Sequence, residues 1–223
     1  MSTRLKLIIA AALCLVVTIG VVLAVNATKN EPEATGTGTR VAFYGDSYTL
    51  GTGASSESKR WSTIVSAERN WNEFNPSVNG LGFITNRSDF GEGDLVSLII
   101  AEKPEIVFVT MGLNDNFSFD YEAADIRSQI PDDLDRLKAG LPDARFIVVE
   151  PFWYTDDRPE SVDIIIRWVE EAADGIDADY IAGASRWIEG HPEWMADDGI
   201  HPNDAGYAAM AERMDDELAR LGL

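Results

Sequence analysis

The chain has 223 residues, with 38 acidic side chains against 18 lysines and arginines, a net charge of −20 at neutral pH. Such a surface repels nucleic acid and anionic headgroups, so neither is expected as a partner and polyanionic substrates are disfavoured. Hydrophobic residues make up 45% of the chain, which argues against disorder, and the one cysteine, Cys14, leaves the rest without a disulfide, a thiol nucleophile or a thiolate metal site.

Arg4 and Lys6 precede Leu7–Val25, an uncharged run of 19 residues. This pattern reads as an export segment. Small residues at Val25-Asn26-Ala27 offer a cleavage site after Ala27. The run is nonetheless longer than the apolar part of a typical signal peptide and long enough to span a bilayer, which favours a retained anchor. Residues 1–27 are therefore expected to be a signal peptide or membrane anchor. The flanking positive charges keep the N-terminus inside and put the body of the protein outside the cytoplasmic membrane, which it contacts only through this segment. Polar residues with Gly, Thr and Pro make 28–39 a flexible linker. The folded domain is expected to span 40–223.

From Arg40 onwards, strand-like runs alternate with helical patterns. Arg40–Tyr44 predicts a first strand, and Trp61, Ile64, Val65 and Ala67 a helix. A weaker strand is expected over Phe74–Asn79, where Pro76 counts against it. Leu95, Leu98, Ile99 and Ile100 predict a helix ending before Pro104. Glu105–Met111 and Ala144–Glu150 read as strongly buried strands. Ala123–Ala139 is helical with a break expected at Pro131. Val162–Ala173 predicts a helix and Asp179–Ala182 a short strand. Tyr207, Met210, Ala211, Met214, Leu218 and Leu221 give an amphipathic C-terminal helix. Alternation of this kind implies a parallel sheet covered on both faces. The expected architecture is a flavodoxin-like three-layer α/β/α sandwich, with its site at the carboxyl ends of the strands.

The residues following each predicted strand are the informative ones. Gly45-Asp46-Ser47-Tyr48 follows the first, and Gly80 and Gly82 the second. Gly112-Leu113-Asn114-Asp115 follows the third and Pro151-Phe152-Trp153-Tyr154 the fourth. Asp198-Gly199-Ile200-His201-Pro202-Asn203 comes after the fifth. One rim of the sheet would thus hold the parts of a serine-esterase site. Ser47 is the candidate nucleophile and His201 its base. Asp198, three residues earlier in a turn, can fix the histidine tautomer. The Asn114 amide can donate to a developing oxyanion, and a glycine lets a backbone N–H approach it. Asp46 is expected to shape the turn, Asp115 to support the structure, Asn203 to cap the last helix and His191 to be turn structure. Phe152-Trp153-Tyr154 fits either core packing or a wall for an acyl group or sugar.

These three blocks resemble the SGNH (GDSL-type) hydrolases. G-D-S-Y at 45–48 looks like the first block, with Tyr48 where leucine is common. G-L-N-D at 112–115 and D-G-I-H-P-N at 198–203 resemble the later ones. The resemblance implies the SGNH hydrolase fold and hydrolysis of carboxylic esters through an acyl-enzyme, with no cofactor and no metal. It also implies an oxyanion hole made by the Ser47 N–H, a glycine N–H and the Asn114 side chain. Gly82 is favoured over Gly80 as the glycine. Tyr48 is expected to narrow or line the entrance. Absence of G-x-S-x-G separates the chain from α/β-hydrolases. The expected substrates are small-molecule, glycan or lipid esters. Two rival readings are a metal-dependent phosphoesterase using Asp46, Asp115, Asp198 and His201, and a catalytically silent binding module on the same fold.

Overall fold

The computed structural model describes residues 38–90 and 93–223. The segment at 1–27 and the linker up to residue 37 lie outside the described residues. Among the described residues no helix is long and apolar enough to cross a membrane.

Five strands form one parallel sheet: β1 (Arg40–Gly45), β2 (Asn72–Phe74), β3 (Ile106–Thr110), β4 (Arg145–Val149) and β5 (Asp179–Ile181). Their spatial order is β2-β1-β3-β4-β5. The chain steps from β1 to one side, then crosses to the other, so a crevice opens at the carboxyl ends of β1 and β3. Among the described residues, six helices flank the sheet: α1 (Ser47–Leu50), α2 (Trp61–Glu68), α3 (Leu95–Glu102), α4 (Phe119–Gly140), α5 (Glu160–Gly175) and α6 (Asp204–Arg220).

The side-chain alternation of each central strand feeds two cores. Val41, Phe43, Ile106, Phe108, Ile147 and Val149 pack with Trp61 and Val65 of α2 and Tyr207, Met210 and Met214 of α6. Ala42, Tyr44, Val107, Val109, Phe146 and Val148 pack with residues of α3, α4 and α5, among them Ile99, Ile130 and Val169. Burial on both faces explains why these strands read as continuous apolar runs.

Two expectations need correction. The second strand is Asn72–Phe74, two residues earlier than Phe74–Asn79, because Asn72 and Phe74 pair with Arg40 and Ala42 of β1. Pro76 has no N–H to extend that ladder. The helix expected to break at Pro131 runs through it to Gly140. An interior proline costs roughly 3 kcal/mol. Burial of Ile126, Ile130, Leu134 and Leu137 along the same helix offsets this, at roughly 1.5–3 kcal/mol per side chain.

One buried polar cluster fixes the loop that follows β2. Asp133 on α4 is fully buried. It accepts both guanidinium nitrogens of Arg87, at 2.6 and 2.8 Å, the Tyr44 hydroxyl at 2.6 Å and the Gln129 amide at 2.9 Å. Arg87 reaches on to Asp94, the cap of α3, which also binds Arg136.

Candidate active site

β1 ends in a turn that leaves no room for a side chain at Gly45. A Cβ there would stand 2.5 Å from Thr110 Oγ1 and 2.6 Å from Thr49 Cβ. Asp46 then caps α1, its Oδ1 accepting from Tyr48 N–H at 2.9 Å. This is the turn-forming role expected of it. Ser47 opens α1, where its N–H has no acceptor within the helix. It is 4% exposed.

The residues on either side of Ser47 reach the two other parts of the predicted site. On one side, Asp46 Oδ2 lies 3.4 Å from Asn114 Nδ2. On the other, the Tyr48 hydroxyl donates to the Ile200 carbonyl at 2.6 Å, and its ring lies 6.0 Å from that of His201. The segment after α1 adds to this packing, since a Cβ at Gly53 would meet His201 Cβ at 3.1 Å and the Tyr207 hydroxyl donates to Thr52 O at 2.7 Å.

His201 and Asp198 form the pair their spacing implies. His201 Nδ1 and Asp198 Oδ2 are 2.7 Å apart. The other carboxylate oxygen accepts from Ile200 N–H at 2.9 Å and His201 N–H at 3.0 Å. Hydrogen bonding from the His201 side chain, then from these two N–H groups, holds Asp198 down at about 2. The turn closes through Ala196 N–H to His201 O, at 2.8 Å, and a bridge between Met195 and Pro202. Asn203 caps α6 as expected, accepting from Ala205 and Gly206 N–H.

Asn114 starts the 3-10 turn Asn114–Phe117 after β3 and donates to Leu81 O at 2.9 Å. Its other contact, to Asp46 Oδ2, is the longer one at 3.4 Å. Asp115 is buried and accepts from Phe83, Ile84 and Thr85 N–H at 2.7, 2.9 and 3.2 Å. It therefore ties down the loop carrying the glycines, not the segment that follows it. A Cβ on Gly82 would stand 2.5 Å from the Asp115 carboxylate, which requires glycine there. The Gly82 N–H donates to Thr85 O at 2.8 Å. In this arrangement it is engaged within its own loop.

Tyr48 departs from expectation. It is fully buried and stacked on Phe152 at 5.8 Å. It lines no entrance and instead holds the carbonyl next to His201. Its replacement of leucine hinted at something local, but a partner 152 residues away is not visible in a tetrapeptide. Tyr48→Phe is expected to lower kcat about 10-fold with KM nearly unchanged, since small displacements of a base are costly. Steady-state kinetics beside a melting curve checks this, and an unchanged kcat would contradict it.

Burial pushes the Asp46 carboxyl up to about 7, and the nearby Asp115 charge adds to the rise against the Tyr48 N–H bond. A raised folded-state value means the folded protein holds a proton that the unfolded chain releases near pH 4. Stability from this group is full below pH 4 and declines as pH rises towards 7. Asp46→Asn keeps the capping oxygen and removes the titration. It is expected to flatten that part of a melting temperature–pH profile, and an unaltered slope would exclude Asp46 as its source.

The rival metal site is not assembled. Asp115 faces backbone N–H groups and Asp198 its own turn, and among the described residues no three His, Cys, Asp or Glu side chains group as a metal site. Of the aromatic run after β4, Phe152 and Trp153 are buried and Tyr154 is part-exposed. His191 stacks on Trp194 and pairs with Glu193 in a turn.

Residues 43–209 match the GDSL-like lipase/acylhydrolase family. The chain belongs to that family. It is accordingly a carboxylic ester hydrolase. A similar protein is GDSL lipase Rv0518 of Mycobacterium tuberculosis, 28% identical over 185 residues, which cover 78% of this chain and 79% of that one. Solved structures share the fold at lower identity. The psychrotrophic esterase EstA from Pseudoalteromonas sp. superposes with a TM-score of 0.64 at 15% identity, covering 82% of this chain and 98% of that one. A variant of Axe2, an acetyl xylan esterase from Geobacillus stearothermophilus, gives 0.56 at 20% identity, covering 79% and 93%. The GDSL match spans all three sequence blocks, from the middle of β1 into the first half of α6.

Proposed function

We propose that this GDSL-family hydrolase is an exported serine esterase. It cleaves O-acyl groups from carbohydrate, lipid or cell-envelope esters. The observation that carries the reading is the 2.7 Å Asp198–His201 pair on a turn tied to the residue next to Ser47. His201, its Nδ1–H held by Asp198, takes the Ser47 proton through Nε2 as Oγ attacks the ester carbonyl. The Ser47 N–H and the Asn114 side-chain amide receive the oxyanion. Gly82 is the third donor, which requires its N–H to turn from Thr85 O. His201 then protonates the departing alcohol, leaving an acyl group on Ser47. Water activated by His201 releases it. The uncharged run at 7–25 supports a location outside the cytoplasmic membrane, anchored or secreted.

An organophosphonate ester tests the nucleophile directly. The full chain should gain one phosphonyl group, mapped by peptide mass to Ser47, with loss of esterase activity. Labelling elsewhere, or none in an active preparation, would refute the assignment.

A further inference from the structure

A cavity of about 500 Å³ lies beside the turn that carries Asp198. Its walls are the loop after β4, with Tyr154 and Asp156, the stretch around His191, and Met195–Gly199. The walls are joined and shaped in advance. Asp156 Oδ1 accepts from Gly190 N–H at 2.8 Å, linking two of them. Trp153 Nε1 donates to Thr155 Oγ1 and Asp157 O, both at 3.0 Å, which folds the β4 loop on itself.

An aromatic ledge runs from this cavity to the 3-10 turn holding Asn114. Phe117, 58% exposed, contacts Trp153 at 6.4 Å and Tyr154 at 6.5 Å. Of the four large hydrophobics exposed among the described residues, Phe117, Tyr121 and Ile200 lie in or just after the segments bearing Asn114 and His201, and only Leu98 lies elsewhere. Core packing does not account for exposed side chains gathered there.

We propose that this cavity and ledge form the alcohol-side subsite of the esterase, and that its occupant is an uncharged hydroxylated ring, an O-acylated carbohydrate. The proposal rests on the esterase reading above and narrows it. Aromatic faces suit the C–H face of a sugar ring, and the Asp156 and Asp197 carboxylates suit its hydroxyl groups. An alkyl chain filling the same space would strip water from both carboxylates and return no hydrogen bond. An anionic sugar would be repelled by them. The volume falls within the range of small-molecule sites.

The test compares three esters on the full chain: acetylated xylobiose, p-nitrophenyl acetate and p-nitrophenyl octanoate. Tyr154→Ala and Asp156→Asn are the variants. The second retains an oxygen to accept from Gly190, and melting curves for both monitor folding. Each variant is expected to lose about 10-fold or more in kcat/KM on acetylated xylobiose and clearly less on p-nitrophenyl acetate, whose alcohol is a single ring without hydroxyl groups. Equal losses on both esters, or no loss on the sugar ester, would overturn the subsite. So would a preference for octanoate that Tyr154→Ala abolishes, which would make the cavity an acyl-chain site. A wild-type chain inactive on p-nitrophenyl acetate would instead bring down the esterase reading itself.

Discussion

Ser47→Ala should lower kcat/KM for p-nitrophenyl acetate by roughly three to six orders of magnitude while leaving the melting temperature within a few degrees. The size follows from what is lost. On the proposed mechanism, without Oγ there is no acyl-enzyme, and His201 and Asp198 have no proton to move. The oxyanion donors remain and sustain only a residual rate. Stability should hold because alanine keeps the helical backbone of α1, and the capping bond comes from Asp46 Oδ1 to Tyr48 N–H. His201→Ala should fall nearly as far, and the double variant little further, since the pair works as a unit. Comparable activity in wild type and Ser47→Ala would remove Ser47 from the mechanism.

Asp133→Ala should be the most destabilising change outside the site, by about 3–5 kcal/mol. Five hydrogen bonds converge on this fully buried carboxylate, two from Arg87, one each from Tyr44 and Gln129, and a longer one from Arg136. Alanine leaves the Arg87 guanidinium and the buried Tyr44 hydroxyl without their main acceptor. The resulting fall in melting temperature should be roughly 10 °C for a domain of this size. Urea unfolding gives the free energy directly. Asp133→Asn, which retains one acceptor oxygen and the shape, should lose less. A shift under about 2 °C for the alanine variant would show that Arg87 and Tyr44 find other partners. Because Arg87 belongs to the loop after β2, the variant should also loosen the Gly82 segment and reduce activity below its melting point.

The sequence by itself was enough for the architecture and for the three blocks that mark the family. Apolar runs at 41–44, 106–110 and 146–149, short and rich in β-branched and aromatic residues, read as strands buried on both faces, and the periodic positions between them supply the helices that bury them. Local spacing was also enough for the Asp198–His201 pair, for the turn shaped by Asp46 and for the cap at Asn203, because each needs contacts only two or three residues apart. Weak or distant determinants escaped it. The second strand was misplaced because its position comes from pairing with β1, and Pro131 was read as a break because burial of the opposite helix face is a tertiary quantity.

Within the site, only the fold could decide the partners. Asp115 serves three N–H groups some thirty residues away, and Tyr48 holds Ile200 O from 152 residues away. The Gly82 N–H is engaged by Thr85 O, which no motif discloses. Spacing along the chain encodes local contacts. Which side chain meets which across a sheet edge depends on strand order and loop packing, and these arise only when the whole domain closes.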